Sequence, residues 1–200
     1  MTLYLSSSVN NVGHKILEDI GNVKRKKLAF ITTASEIEED KGYVASDRES
    51  FEGSGVEIFD YTITGKNLAQ IDNDLKDMDI IHMEGGDTYY LLEKSRESGF
   101  DKWIYEAVRN GKIYTGSSAG SVIASKDISP IYKKDLEGDQ GFGLTDILVL
   151  PHWGSKSFRE KYFSERIEKM YEIDSKIILL NDFQFVKVDD DSFRIFDVRE

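Results

Sequence analysis

Three short stretches of this chain combine residue types that can do chemistry: Gly116-Ser117-Ser118-Ala119-Gly120, Glu84-Gly85-Gly86-Asp87-Thr88 and Leu150-Pro151-His152. In the first, Gly116, Ser118 and Gly120 fill a Gly-x-Ser-x-Gly pattern. It lies between the strand-like Ile113-Tyr114 and a helix-compatible run from Ala119 to Ala124. Strand, abrupt turn and helix is the context in which this pattern presents a Ser hydroxyl outward as a nucleophile. Flanking residues without bulk let backbone and helix pack close. The N–H of Ala119 then falls at a helix N-terminus, where negative charge is favoured. Taken alone, the pattern also serves as a tight turn with no chemistry.

A Ser needs a base to be nucleophilic at neutral pH. The chain holds three histidines. His14 stands at a helix start and is expected on the surface, and His82 lies inside an apolar strand and is expected as a satisfied core residue. His152 ends a strand after Pro151, one crossover beyond Ser118, and is the candidate general base. Gly85-Gly86 reads equally as a plain strand-to-helix turn. Beside a Ser/His pair, Gly86 offers a second backbone N–H to a developing oxyanion, the first coming from Ala119. Phosphate cradling is the rival use of such glycines, but neither a Walker sequence nor Gly-x-Gly-x-x-Gly is present.

These stretches need elements to hold them. Leu3-Tyr4-Leu5, Lys27 to Thr32, Val56 to Tyr61, Asp79 to Met83 and Lys112 to Tyr114 read as strands. Helical spacing recurs between them: Val12 to Ile20 closed by Gly21, a helix bearing Tyr43, Val44 and Phe51 with Ser35 and Glu38 as its capping box, Leu68 to Leu75, and Tyr90 to Val108 broken at Gly99. This alternation implies βαβ units and a doubly wound, mostly parallel α/β sheet with helices on both faces. Beyond the Ser turn, Ser125 to Pro130 reads as extended, and Tyr132 to Gly143 as a polar loop long enough for a lid. Ile147 to Leu150 and Lys176 to Leu180 read as strands, with an apolar helix face of Phe158, Tyr162, Phe163, Ile167 and Met170 between them. A C-terminal hairpin turns at Asp189-Asp190-Asp191. With no repeat or linker, one domain over residues 1–200 is expected. In an open α/β sheet, ligands bind beyond the carboxyl ends of the strands, and all three stretches fall there.

Composition narrows the function classes. The 200 residues are 40% hydrophobic and 32% charged, as in globular domains. A net charge of −11 disfavours nucleic acid and anionic membranes. The one basic run, Lys24-Arg25-Lys26-Lys27, precedes a strand and reads as a solvated loop. No cysteine is present, so disulfides, thiolate catalysis and Cys-held metals are excluded. With no long apolar run, a cytoplasmic protein is expected.

The three stretches, in this order and spacing, resemble the peptidase E (aspartyl dipeptidase) family of serine peptidases, whose relatives include cyanophycinase. The resemblance covers most of the chain. It implies a fold similar to class I glutamine amidotransferases, a Ser nucleophile at Ser118, a His base at His152 and an oxyanion hole from Gly86 and Ala119. No cofactor and no metal are implied. Members draw the triad acid from the segment between nucleophile and base, often just before a proline. Here Ser129 precedes Pro130, and Asp127 is the candidate, with Glu137, Asp139, Asp146 or a Ser/His dyad as alternatives. A preference for N-terminal Asp needs a cation near the nucleophile, for which Lys156 and Arg159 are candidates. Asp87, Asp182 or Gln184 could hold a substrate α-amine. The expected function is a serine exopeptidase releasing the N-terminal residue of small peptides, as a monomer or homodimer. A non-catalytic peptide-binding relative, or an esterase or amidase with the same Ser/His pair, is the alternative.

Overall fold

In the computed structural model, residues 1–129, 140–167, 170, 176–190 and 192–199 are described. Five parallel strands form the centre of a seven-stranded sheet: β1 (Thr2–Ser6), β2 (Lys27–Ile31), β3 (Glu57–Tyr61), β4 (Ile80–Met83) and β5 (Ile113–Ser117). The hairpin of β8 (Gln184–Asp189) and β9 (Ser192–Asp197) adds antiparallel to β1, giving the order β3-β2-β4-β5-β1-β8-β9. Alternate residues of the inner strands feed opposite faces, as the strand period of two requires. Leu3, Leu5, Ala29, Ile31, Ile81 and Met83 pack into one core, and Tyr4, Leu28, Phe30 and Ile80 into the other. Strands covered on both faces therefore read as continuous apolar runs.

The second core is closed by α1 (Val9–Ile20), whose Val9, Val12, Ile16 and Leu17 are buried, and by Phe51 beyond α2 (Gly42–Glu49). Helices α3 (Leu68–Leu75), α4 (Thr88–Ser98), α5 (Phe100–Arg109) and α6 (Ala119–Val122) cover the first. Gly21 (φ 65°) ends α1, and Gly99 (φ 76°) separates α4 from α5 in the left-handed conformation. These are the positions where the sequence predicts helix ends.

Several local expectations are corrected. Ser35 and Glu38 form no capping box: Ser35 sits in a 3₁₀ turn with its hydroxyl on the Thr32 carbonyl, and Glu38 accepts the Tyr43 hydroxyl. The capping box observed is Asn67 with Gln70, at the start of α3. Ser125 makes a single bridge to Thr145 rather than opening an extended strand. The strands β6 (Ile147–Leu150) and β7 (Lys176–Leu179) pair in parallel in a small sheet of their own. The apolar face expected between them is a 3₁₀ turn, one turn of α-helix and a π-helical stretch, Tyr162–Arg166. Tyr162 is buried there, whereas Phe163 is exposed. The expected lid from Tyr132 to Gly143 lies mostly outside the described residues, as do Glu137 and Asp139.

Candidate active site

Because β1, β4 and β5 run parallel in register, their carboxyl ends open on one edge. Ser118 follows β5 directly and holds φ 46°, ψ −109°, a conformation that a non-glycine residue adopts only when its surroundings impose it. Those surroundings are visible. The Ser118 N–H donates to the Ser6 carbonyl at 3.1 Å, and the Ser121 hydroxyl bridges the carbonyls of Ser6 and Gly116 at 2.7 and 2.8 Å. A β-carbon on Gly116 would lie 2.6 Å from the Gly120 oxygen, and one on Gly120 would lie 2.0 Å from the Met83 oxygen. The two glycines of the pattern are thus steric necessities that let α6 press against β4 and β5.

His152 follows β6 with φ 64°, and its Nε2 lies 2.9 Å from Ser118 Oγ. Its ring stacks on Phe158, centroids 4.4 Å apart, and its backbone N–H donates to Ser7 Oγ at 2.6 Å. His152 Nδ1 lies 2.7 Å from Asp182 Oδ1, which also accepts the Ser7 hydroxyl at 2.6 Å. The hydrogen bond to His152 holds the Asp182 carboxyl below the usual carboxylate range, against the opposing effect of its partial burial. Asp182 follows β7, and β6 and β7 are tied at their ends by Leu180 N–H on the Leu150 carbonyl and Trp153 N–H on the Leu180 carbonyl. The small sheet therefore carries both the imidazole and its carboxylate to the edge where Ser118 waits.

The acid expected from sequence is corrected here. Asp127 is exposed, and its carboxylate accepts the Ser129 N–H at 2.9 Å in a local turn. Asp146 pairs with Lys176 on the surface. Asp182, expected to hold a substrate amine, is the carboxylate on His152. Asp87 is the N-cap of α4, accepting Tyr90 N–H at 2.8 Å through Oδ1, and is not among the residues lining the Ser118 cavity. Arg159 stacks on Phe163 outside the Ser118 cavity, and Lys156 starts the 3₁₀ turn, also outside it. His14 is exposed and His82 fully buried, as expected. Among the lining residues not expected from the sequence are Ser7, Asp47 and Arg166. Ser6-Ser7-Ser8 at the end of a predicted strand was a usable signal for the first. Arg166 gave none, since it lies in an apolar-faced helix where a cation reads as solvated.

Ser118 and His152 open into a cavity of about 460 Å³, lined also by Gly85, Gly86, Ala119, Tyr43, Asp47, Glu84, Phe158 and Arg166. Gly86 has φ 135°, and a β-carbon there would lie 2.3 Å from the Ala34 oxygen, so only glycine fits. Gly85 is close enough to the nucleophile that its own β-carbon would sit 3.2 Å from Ser118 Cβ. Among the described residues, neither the Gly86 N–H nor the Ala119 N–H meets a protein acceptor outside regular helix and strand ladders. No group of three or more candidate metal ligands occurs among the described residues. A Ser bonded to His, a His bonded to a carboxylate, and two backbone donors at one cavity are the parts that acyl transfer uses.

Comparison with known proteins agrees with this geometry. The model of peptidase family S51 matches residues 3–196. The chain belongs to peptidase family S51. An uncharacterized peptidase of Listeria monocytogenes is 34% identical over 165 residues, covering 79% of this chain and 80% of that protein. Peptidase E of Citrobacter koseri is 34% identical over 82 residues, covering 40% of this chain and 36% of its own length. A crystal structure of a candidate peptidase E protein from Listeria monocytogenes superposes with a TM-score of 0.87 at 28% identity, covering 98% of each chain. This S51 member is a serine-type peptidase with the mostly parallel α/β fold expected from its sequence. No helix among its described residues is long and apolar enough to cross a membrane.

Proposed function

We propose that this S51 peptidase is an exopeptidase that removes the N-terminal residue of small peptides through an acyl-enzyme on Ser118. The observation that carries the reading is the continuous chain Ser118 Oγ, His152 Nε2, His152 Nδ1, Asp182 Oδ1, with spacings of 2.9 and 2.7 Å. Asp182 holds the Nδ1–H, leaving Nε2 to accept the Ser118 proton as Oγ attacks the scissile carbonyl. The N–H groups of Gly86 and Ala119 receive the negative oxygen of the tetrahedral intermediate. The imidazolium returns its proton to the leaving amine, and water, deprotonated by the same Nε2, releases the acyl group. A cavity of about 460 Å³ is the size that small ligands fill.

The preference for Asp-X is supported by one buried cation. Arg166 lines the cavity, 3% exposed, with its guanidinium 4.9 Å from the centre of the Tyr162 ring. A cation at the wall of the cavity favours a substrate that carries a side-chain carboxylate. The expectation of a cytoplasmic enzyme stands as part of the same proposal.

Replacement of Ser118 by Ala tests the reading. Turnover of Asp-X dipeptides is expected to fall by at least about four orders of magnitude with the melting temperature retained. A serine-reactive phosphonate is expected to label the native protein at Ser118. Unchanged kcat in the variant removes Ser118 from the mechanism. Other dipeptides, isoaspartyl peptides and simple esters run beside Asp-X separate a dipeptidase from a broader amidase or esterase.

A further inference from the structure

Two buried carboxyls lie behind the Gly85-Gly86 turn, and the acyl-transfer steps use neither. Glu84 Oε1 accepts the Gly85 N–H at 2.7 Å, and Oε2 lies 3.1 Å from His82 Nε2. The His82 ring is itself fixed, with Nδ1 2.8 Å from Thr115 Oγ1 and one face on Phe30, centroids 5.0 Å apart. Asp47, on α2, lines the same cavity as Glu84, with the charge of each carboxyl acting on the other, and accepts the Asn10 N–H at 3.2 Å. Two carboxyls buried at one site do not both ionise readily, so one of them keeps its proton.

We propose that Glu84 is a positioning residue for hydrolysis, gripping the Gly85 N–H so that the Gly86 N–H stays aimed at the oxyanion, with Asp47 keeping the proton of the pair. The inference rests on the acyl-enzyme reading above. A diglycine turn rotates its peptide planes more readily than any other pair. The plane that carries the Gly86 N–H also carries the Gly85 carbonyl, whose oxygen lies 3.4 Å from the Tyr43 hydroxyl that donates to Glu38. In a trans peptide these two groups point oppositely, so a carbonyl turned to Tyr43 turns the N–H away from it. Glu84 secures the preceding plane with a charge-assisted bond. The Ala34 carbonyl closes the space into which Gly86 would otherwise rotate.

The retained proton also sets the charge beneath the oxyanion donors. Burial first, and the Glu84 charge second, push the Asp47 carboxyl up to about 8, and burial raises Glu84 as well. His82 opposes the rise of Asp47 only weakly, because complete burial lowers His82 itself to about 3. The other groups facing the pair are Tyr43, itself bonded to Glu38, and the Asn10 amide of α1, with His152 and Arg166 lining the same cavity. Loss of the proton leaves two negative charges beside donors that must hold a third.

The test measures the rate of Ser118 labelling by a fluorophosphonate, and kcat and KM for an Asp-X dipeptide, between about pH 6 and 10, bracketing the Asp47 transition. Native enzyme is expected to lose kcat as pH rises through about 8, and Asp47→Asn to move that loss to higher pH. Glu84→Leu is expected to lower kcat and the labelling rate together, about 100-fold, with KM little changed. Glu84→Gln, which keeps an oxygen for the Gly85 N–H, is expected to restore labelling to within about tenfold of native. If Glu84→Leu does not fold, the alkaline limb of Asp47→Asn decides. An alkaline limb identical in native enzyme and Asp47→Asn overturns the inference alone, as does a higher KM at constant kcat in Asp47→Asn. Absence of labelling in the native enzyme removes the acyl-enzyme reading and this inference with it.

Discussion

The side chain that orients His152 comes from a place where linear order offered no hint. Asp127 lies near Ser118 in sequence and before a proline, yet its carboxylate is occupied by the Ser129 N–H. Asp182 comes 30 residues after His152 and reaches Nδ1 at 2.7 Å. Replacement of Asp182 by Asn is expected to lower kcat by about four orders of magnitude, since the wrong imidazole tautomer then faces Ser118. Asp127→Asn is expected to leave kcat within a factor of about two, because exposed turn residues rarely move more than a few tenths of a kcal/mol. Steady-state assays of the pair separate the two carboxylates directly. Arg166 belongs to the same argument. Its exchange for Met, which keeps an unbranched apolar chain but removes the charge, is expected to raise KM for Asp-X peptides at least about tenfold and to leave neutral dipeptides nearly unaffected. Equal KM changes for both substrates would remove Arg166 from recognition.

The Ser turn works as a unit of strand, elbow and helix rather than as five letters. Gly120 is pressed against the Met83 carbonyl, and Gly116 against Gly120. Each contact lets α6 sit closer to the sheet than any side chain would allow, which brings the Ala119 N–H to the cavity. Gly120→Ala is expected to cost more than about 3 kcal/mol, as overpacking against a backbone that cannot yield does. A denaturant titration reads this as a lower midpoint. Gly86→Ala meets both a forbidden φ and the Ala34 carbonyl, and is expected to lower kcat by at least about 100-fold, the usual effect of a lost oxyanion donor. The same consideration explains what was legible here. Glycine and serine spacing reports local backbone geometry, so the elbow and the Gly-Gly turn were readable from residue types. The stretch from Lys156 to Arg166 was not, because its apolar spacing fitted one helix while the chain passes from 3₁₀ to α to π.

Across the fold, ionisation couples the site to stability in two opposite directions. Asp47 is held above its ordinary carboxylate value, so its contribution is complete below about pH 4 and is lost as pH rises through about 8. Asp182 is held below its ordinary value, so its contribution is present above about pH 4 and is lost as pH falls. Thermal melts of Asp47→Asn against the native protein are expected to show a difference that grows in favour of the variant between about pH 4 and 8, and then levels. A difference independent of pH would show that Asp47 does not titrate in that window. The parallel sheet is what makes this coupling possible: β1, β4 and β5 end at one edge, so groups from Ser7, Glu84 and Ser118 meet there.

The alternation of apolar strands with helical spacing, and the glycines where chain direction must change abruptly, were enough to determine the strands and helices of the large sheet, the turn after β5 and the strand that precedes His152. These features are local, because strand and helix periods and positive φ angles depend on neighbours a few residues apart. The carboxylate on His152, the cation in the cavity and the meeting of Asp47 with Glu84 were decided by the tertiary structure alone. The first two join residues that follow β6 and β7 and the π-helical stretch between them, and depend on how that small sheet docks beside the large one, while Asp47 and Glu84 meet where α2 packs against the end of β4; spacing along the chain carries no record of either packing.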